Sequence, residues 1–88
     1  MAYDVQYSEN ARRELRKIDR HQVKILIAWI EKNLLGCENP RLYGKPLAGD
    51  QKGFWRYRVG AYRIISDIQD DVVRIEIINI GHRRDIYS

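Results

Sequence analysis

The stretch WRYRVGAYRII at residues 55–65 limits the possible folds of this chain more than any other segment. Apolar and charged side chains alternate on both sides of a Gly-Ala pair, and such alternation is typical of a half-buried β-strand. A dipeptide with glycine in first place favours a two-residue type II′ turn. We therefore predict a tight hairpin that turns at residues 60–61, in which Arg58 lies directly opposite Arg63.

The alternation also gives the two faces of this hairpin different chemistry. One face carries only aromatic and aliphatic side chains, and we expect it to cover the core. The other face carries Arg56, Arg58 and Arg63 and is expected to look outward to solvent. Like charges directly opposite each other destabilise a strand pair. At a charge separation near 6 Å and an effective dielectric near 20, Arg58 and Arg63 repel each other by about 3 kcal/mol.

A bound phosphate would turn this repulsion into attraction, because a planar guanidinium group can donate two hydrogen bonds to a phosphate at once. The pattern therefore favours an anion-binding face made by the three arginines. The alternative, in which each arginine pairs with a nearby carboxylate, stays open. For Arg74 that alternative is the preferred interpretation, because a turn at Asp70 and Asp71 would place Asp67 opposite it.

The remaining segments predict an α+β fold of the order β-α-α-β-β-β in one domain, residues 1–88. AYDVQY alternates and predicts a short first strand, while Ser8 and Asp19 are suited to cap two helices. The second helix carries an apolar stripe and ends near Gly36. We expect an antiparallel sheet packed on this N-terminal helical hairpin. The predicted loop spans residues 37–52, and the predicted strands of the meander span residues 54–59, 62–68 and 72–80.

Basic residues are concentrated in the middle of the chain. The net charge is only +4, from 16 Lys and Arg against 12 Asp and Glu. Residues 41–63, however, contain six basic side chains and a single acidic one, Asp50. Such a local excess indicates a polyanionic partner, so Lys45 and Lys52 join the arginines as candidate phosphate contacts. The six basic residues are Arg41, Lys45, Lys52, Arg56, Arg58 and Arg63.

Cys37 is the only cysteine, which excludes an internal disulfide and is typical of a reducing compartment. The first ten residues lack the apolar core of a signal peptide. No stretch approaches the roughly 18 apolar residues of a membrane span. We therefore expect a cytoplasmic protein with no membrane partner.

Ile25 and Trp29 lie off the apolar stripe of the second helix. One interpretation is that they contact the first helix or are partly exposed. The other is that they form a docking surface for a partner, since large exposed apolar side chains often mark interfaces. Both interpretations stay open.

Residue types exclude several kinds of catalytic site. The only histidines are His21 and His82, and no cluster of Cys, His and carboxylates has the spacing of a metal site. Neither a phosphate-binding glycine loop nor a nucleophile triad is recognisable. What remains is chemistry on a phosphodiester without metal or cofactor. RNA suits such chemistry because its 2′-hydroxyl is an internal nucleophile and arginines can stabilise the crowded phosphate.

The C-terminal segment GHRRDIYS supplies groups that can exchange protons. Arginine, with a pKa above about 12, stabilises charge but is a poor proton carrier. Histidine side chains ordinarily titrate near neutrality, which makes His82 a candidate, and Tyr87 can exchange a proton or stack on a base. A solvated histidine and a tyrosine packed on the sheet are the alternatives. Because the segment follows the last strand directly, we expect it to reach the same end of the sheet as Arg63.

GKPLAGDQKGFWRYRVGAYRII followed by INIGHRRDIY resembles the RelE/ParE superfamily of bacterial toxins from toxin–antitoxin pairs. The patterns G-x-P-L-x-G, R-x-R-x-G-x-Y-R and G-x-R-x-x-x-Y carry this resemblance, which covers essentially the whole chain and is closest to the RelE branch. It implies a ribosome-dependent endoribonuclease that cleaves mRNA in the ribosomal A site and leaves a 2′,3′-cyclic phosphate and a 5′-hydroxyl. It also implies a tight-binding RelB-like antitoxin, expected to be acidic, and contact with operator DNA only through the antitoxin complex.

The resemblance also assigns roles to individual residues of this chain. Where well-known RelE toxins carry lysines, this chain has Arg56 and Arg58, which weakens the case for proton transfer there. His82 is therefore expected to carry the proton, since related toxins use a histidine near the C terminus. Arg84 is a further expected phosphate contact. The residues that match the catalytic positions of the family are Arg56, Arg58, Arg63, Arg83 and Tyr87.

Two other functions stay open at this point. The ParE side of the superfamily blocks DNA gyrase without cutting RNA, and a ribosome- or RNA-binding module could inhibit translation without catalysis. The arginine face together with Tyr87 favours the nuclease. For each of these functions, Ile25 and Trp29 are the candidate contacts of the antitoxin.

Overall fold

The computed structural model describes residues 1–82, apart from the side chain of Gln51. Two helices and five strands make up this part of the chain, with single 3-10 turns at residues 49–51 and 70–72. None of the helices in this range is long and apolar enough to cross a membrane. The elements are β1 (Asp4–Tyr7), α1 (Glu9–Lys17), α2 (Arg20–Asn33), β2 (Lys45–Pro46), β3 (Trp55–Val59), β4 (Tyr62–Gln69) and β5 (Arg74–His82).

The five strands form one sheet in the order β1-β5-β4-β3-β2. The meander of β3, β4 and β5 is antiparallel, as predicted, and the α+β class is confirmed. The sheet as a whole is mixed, because β1 pairs with β5 in parallel. β2 was not predicted; it pairs with the start of β3 from within the segment expected to be a loop, and it is only two residues long.

Both helices begin at the predicted capping residues. The Ser8 hydroxyl oxygen accepts a hydrogen bond from the backbone N–H of Ala11 at 3.0 Å. The Asp19 carboxylate accepts from the backbone N–H of His21 at 3.0 Å and of Gln22 at 3.4 Å. These bonds satisfy donors that the first turn of a helix leaves without an intrahelical partner.

The core lies between the helices and one side of the sheet, which we call the helix face. Leu26, Ile30 and Leu34 of the α2 stripe are fully covered there, as the stripe predicts. They pack with the inward side chains of the meander and with Ala11 of α1. The buried residues of the helix face are Tyr57, Val59, Ile64, Ser66, Ile75, Ile77 and Ile80.

The other side of the sheet, which we call the open face, carries the residues that alternate with these. On β4 it presents Arg63, Ile65, Asp67 and Gln69 in turn. No helix of the described chain has buried residues in contact with this side. The charged side chains of the hairpin therefore lie on the side of the sheet opposite the helices.

One predicted contact of the open face is wrong. A two-residue turn was expected to place Asp67 opposite Arg74, but the connection between β4 and β5 is longer and pairs Gln69 with Arg74. Asp67 consequently lies opposite Glu76, and it makes no ion pair with Arg74. The Gln69 amide donates to both carboxylates, at 3.1 Å to Asp67 and 3.4 Å to Glu76. We call Asp67 and Glu76 the acidic end of the open face.

β5 contains one residue more than β4 over their paired length. Ile65 pairs with Asn79 and Ser66 with Ile77, so Ile78 forms a β-bulge. The Ile78 carbonyl accepts a hydrogen bond from the Ser8 hydroxyl at 3.1 Å. The start of α1 is thereby attached to the bulge.

Candidate nucleic-acid interface

The hairpin of β3 and β4 has the predicted turn and register. Gly60 has a φ of +60°, whereas Ala61 does not adopt a positive φ, which is the pattern of a type II′ turn. Arg58 lies opposite Arg63, and Arg56 lies opposite Ile65. The three arginines therefore share the open face, as the alternation predicts.

Their exposure differs from the prediction, which turned all three to solvent. Arg58 is exposed and Arg56 is half-buried, but only 1% of the Arg63 surface is accessible. The arginines also differ in their position in the sheet. β4 has a neighbouring strand on each side, whereas the outer edge of β3 beyond Arg56 has no partner among the described strands. Arg63 therefore presents far less surface to a ligand than Arg58 does.

Lys45 extends this group of cations to the edge of the sheet. It pairs with Arg56 across β2 and β3, so the two side chains share the open face, and Lys45 is exposed. Arg58 forms no ion pair with a carboxylate of residues 1–82. The nearest open-face carboxylate on β4 is Asp67, four residues and thus about 13 Å along the strand from Arg63. We call Lys45, Arg56, Arg58 and Arg63 the basic end of the open face.

Lys52 does not join the basic end. It lies in the turn that precedes β3, whereas Arg58 lies close to the other end of that strand. Its side chain is exposed and is not part of the cavity beside the arginines. Its predicted contact with phosphate stays a prediction.

A cavity of about 490 Å³ opens beside the basic end at the outer edge of β3, and we call it the edge cleft. One wall is apolar and aromatic, and the other is cationic. Leu42 and Tyr43 of the apolar wall were not predicted, because they lie in a segment rich in glycine and proline that indicated only a loop. The lining residues are Trp29, Leu42, Tyr43, Gly44, Lys45, Arg56 and Arg58.

The loop that carries Tyr43 is attached to β3 at successive positions. The Tyr57 hydroxyl donates to the Pro40 carbonyl at 2.7 Å, and the Trp55 indole N–H donates to the Tyr43 carbonyl at 2.6 Å. Gly44, with a φ of +76°, packs so closely on β3 that a Cβ at this position would overlap the backbone oxygen of Arg56. Burial raises the pKa of the Tyr57 phenol, so its hydroxyl remains a donor at physiological pH.

An ion pair holds the same loop to the far end of the sheet. Arg41 donates to both carboxylate oxygens of Asp70, at 3.1 Å and 2.9 Å, and the Tyr3 hydroxyl donates to Asp70 at 2.7 Å. The hydrogen bond from Arg41, followed by that from Tyr3, lowers the pKa of the Asp70 carboxyl. Arg41 also lies 6.0 Å from the centre of the Trp55 ring. Arg41 thus has an internal carboxylate partner and is not part of the basic end.

His82 reaches the same end of the sheet as Arg63, as expected, but it lies on the opposite face, which the sequence did not show. It pairs with Tyr62 across β4 and β5, and the two rings meet edge to face with centres 5.5 Å apart. Tyr62 packs against the core of the helix face, so His82 is on the side of the sheet opposite Arg63. The other predicted C-terminal residues, Arg83, Arg84 and Tyr87, lie outside the described residues.

Ile25 and Trp29 of α2 differ in their exposure. Ile25 keeps 44% of its surface exposed. Trp29 packs partly buried on Tyr57 and Tyr43, with ring centres 5.6 Å and 5.9 Å away. Of the two residues, Ile25 is therefore the exposed one that could contact a partner. Trp29 packs against the core and also lines the edge cleft.

Comparison with known proteins identifies the family. Residues 5–87 match the family model ParE_toxin, described as the ParE toxin of type II toxin–antitoxin system, parDE. The chain belongs to the RelE/ParE superfamily of toxins. The toxin is also 31% identical to Toxin RelG of Mycobacterium tuberculosis, over 99% of this chain and 98% of the relative. Toxin RelE of the same organism is 33% identical, over 97% of this chain and 86% of the relative.

A solved structure agrees with the fold. The toxin is similar to a chain of the toxin–antitoxin complex RelBE2 from Mycobacterium tuberculosis, with a TM-score of 0.85 and 28% identity. The similarity covers 94% of this chain and 93% of the other. The RelE-like fold expected from the sequence is therefore confirmed for the toxin.

Proposed function

We propose that the toxin is an endoribonuclease that cleaves mRNA in the ribosomal A site. The observation that carries this proposal is the Arg58–Arg63 pair on the open face, with Arg58 exposed and not ion-paired to any carboxylate of residues 1–82. An RNA phosphate is an anion that the exposed Arg58, with Arg63 opposite it, is suited to bind. The names of the two Mycobacterium tuberculosis relatives, RelG and RelE, support the RelE side of the superfamily.

In the proposed reaction the 2′-oxygen loses its proton and forms a bond to the adjacent phosphorus. The bond from phosphorus to the 5′-oxygen breaks, and that oxygen gains a proton, which leaves a 2′,3′-cyclic phosphate and a 5′-hydroxyl. Arg58 and Arg63, with Arg56 beside them, donate hydrogen bonds to the phosphate oxygens and stabilise the charge that develops in the transition state. Arginine stays protonated at physiological pH and therefore does not carry the protons in this reaction.

The proton transfers need other groups. His82 does not fit the role of proton carrier, because it lies on the helix face beside Tyr62, on the side of the sheet opposite the arginines. We assign proton exchange to Tyr87 and a further phosphate contact to Arg83, both as predictions from the family pattern. Replacing Tyr87 by Phe tests this assignment, since it keeps the ring and removes the exchangeable proton.

We further propose a cognate antitoxin as the inhibitor of the toxin. The solved relative from Mycobacterium tuberculosis is a toxin–antitoxin complex, and the net charge of +4 favours an acidic, RelB-like partner. Ile25 is the candidate contact on α2. Operator DNA would be reached only through the antitoxin complex, and the ribosome and its mRNA in the cytoplasm are the proposed target.

The second candidate function is inhibition of DNA gyrase. It is favoured by one observation, the family model that matches residues 5–87 and is described as a ParE toxin. A third outcome, translation inhibition by binding alone, also uses a basic surface. These functions differ in what happens to messages and to supercoiled DNA.

One experiment distinguishes them. The purified toxin is added to a translation extract, mRNA ends are mapped by primer extension, and gyrase supercoiling is assayed in parallel. We expect cuts in register with codons that fall by about 100-fold or more in Arg58→Ala and Arg63→Ala, the size of effect seen when one transition-state donor is removed. Arg74→Ala, a change of the same type on the open face away from the basic end, should cut like the wild type.

Intact messages with inhibited supercoiling would replace the nuclease with a gyrase inhibitor. Blocked translation with intact messages and normal supercoiling would leave a binding module. Equal cutting of RNA without ribosomes would remove the ribosome from the proposal. Thermal unfolding of each variant separates a lost site from a lost fold, which matters most for the buried Arg63.

A further inference from the structure

We propose that the edge cleft binds a nucleobase of the RNA, with Tyr43 as the stacking surface, next to a phosphate held at the basic end. The inference rests on the proposed function in one respect, that the nucleotide belongs to the message. It adds a base-stacking role for Tyr43, a residue that neither the sequence patterns nor the family resemblance assign to RNA.

The chemistry of the two walls fits a nucleotide. A nucleotide has a flat base with apolar faces and an anionic phosphate, and the edge cleft places Tyr43 and Trp29 on one side and Arg58 and Lys45 on the other. Single-stranded nucleic acids are commonly bound by aromatic rings beside a basic groove. The volume of about 490 Å³ lies within the range of roughly 300–1,000 Å³ that small-ligand sites occupy.

The ring of Tyr43 is held in place before any ligand arrives, although 43% of the residue surface is exposed. The Tyr43 carbonyl accepts a hydrogen bond from the Trp55 indole N–H, and the following residue, Gly44, packs directly on β3. The Trp29 ring meets the Tyr43 ring edge-on, with centres 5.9 Å apart and planes at 74°. An aromatic side chain ordered in advance loses little conformational freedom on binding.

The cleft is continuous with the basic end. Arg56 and Arg58 line the cleft and also stand on the open face opposite Ile65 and Arg63. An RNA strand with one phosphate between Arg58 and Arg63 would therefore have a neighbouring nucleotide at the mouth of the cleft. An acidic protein segment would satisfy the cations equally well, but only a nucleic acid also matches the face that is proposed to hold the scissile phosphate.

The test compares Tyr43→Ala with Tyr43→Phe, which keeps the ring. The probe is a short RNA that contains 2-aminopurine and a 2′-O-methyl group at every position, so that it binds but has no free 2′-hydroxyl and is not cut. Stacking quenches 2-aminopurine fluorescence. We expect quenching with the wild type and Tyr43→Phe, and about tenfold weaker binding with lost quenching in Tyr43→Ala, in keeping with the loss of one stacked base.

Cleavage on ribosomes provides the second measurement. Tyr43→Ala should raise KM by about the same factor with a smaller change in kcat, since the ring binds a base away from the bonds that change. Tyr43→Phe should match the wild type in both. Thermal unfolding should be equal for the two variants, which separates the missing ring from a disturbed loop.

The outcomes separate this inference from the proposed function. If the wild type cuts messages, Arg58→Ala does not, and Tyr43→Ala binds and quenches like the wild type, the nuclease stands and the base site falls. If Tyr43→Ala loses affinity for the antitoxin but not for RNA, the cleft belongs to the antitoxin and the inference falls as well. If quenching depends on Tyr43 but the toxin cuts no message, the base site stands and the nuclease falls.

Discussion

The open face of the sheet carries two like-charged pairs that differ in what the chain places beside them. Arg58 and Arg63 face each other across β3 and β4, while Asp67 and Glu76 face each other across β4 and β5. At the acidic end, the Gln69 amide donates to both carboxylates. At the basic end, Arg58 is exposed and has no carboxylate partner in residues 1–82.

The difference shows two ways in which a sheet can carry the same electrostatic cost. An internal donor reduces the repulsion of the acidic pair, so this pair is stabilised within the folded chain. Arg58 is instead turned to solvent, where an anion from outside the chain can reach it. We infer that the acidic end contributes to the architecture of the toxin and that the basic end contributes to its target.

The largest expected effect is on the rate of A-site cleavage when one member of each pair is neutralised. This effect should be large at the basic end and small at the acidic end. Arg58→Ala is expected to lower the rate of A-site cleavage by about 100-fold or more, because one donor to the developing charge is lost. Asp67→Asn should change the rate less than twofold. The measurement is primer extension on programmed ribosomes, and similar losses in both variants would remove the distinction between the ends.

The stability of the toxin should be sensitive to a single methyl group added at Gly44, which lines the edge cleft. Gly44→Ala is expected to lower the free energy of unfolding by about 3 kcal/mol, because the added Cβ would overlap the Arg56 carbonyl in a left-handed backbone conformation. Gly49 has a φ of +68° but open space around it, so Gly49→Ala should cost only about 1 kcal/mol. Urea unfolding measures both, and equal losses would show that conformation alone governs Gly44.

The acidic end should lose stability when its internal donor is removed. Gln69→Leu is expected to cost about 1.5 kcal/mol, because two facing carboxylates lose a shared hydrogen-bond donor. Adding Glu76→Gln should recover part of that loss by removing the repulsion. A double-mutant cycle in urea measures the coupling, and strictly additive losses would mean that Gln69 does not act on the pair.

The smallest effect is expected for the oppositely charged pair Arg41–Asp70, which serves as a reference for both ends. The pair is partly exposed, so Asp70→Asn should cost only about 0.5 kcal/mol at neutral pH. Because folding lowers the pKa of Asp70, this stability is present above the ordinary aspartate pKa of about 4 and is lost as pH falls through the lowered value. Wild type and variant should therefore converge in acid unfolding curves, and a constant difference down to acid pH would argue against the ion pair.

Local patterns in the sequence were sufficient for the first hairpin but not for the second. The turn at Gly60 and the register around it follow from alternation and from the conformational freedom of glycine. The connection before β5 contains Val73 at a φ of +52°, a conformation that β-branched residues rarely adopt and that no pattern signals. Pairing between β1 and β5 joins distant segments, so periodicity could not reveal that it is parallel.

The candidate site was likewise predictable only where it depends on local sequence patterns. The shared face of the three arginines followed from strand alternation, whereas the burial of Arg63 depends on tertiary contacts that alternation within one strand does not show. Tyr43 was missed because its place beside Trp29 depends on the path of the loop. An aromatic residue next to a glycine in that loop was the available signal.

The bulge at Ile78 has an evolutionary consequence for this fold. Before it, odd-numbered residues of β5 point toward the helices; after it, even-numbered residues do, which is why Ile80 and His82 point there. Deleting Ile78 would restore a regular ladder and keep both sets on their faces, because Ile65 would still pair with Asn79 and Tyr62 with His82. Proteins of this superfamily could thus gain or lose one residue at this bulge through a single codon, without moving the paired side chains of the strand to the other face.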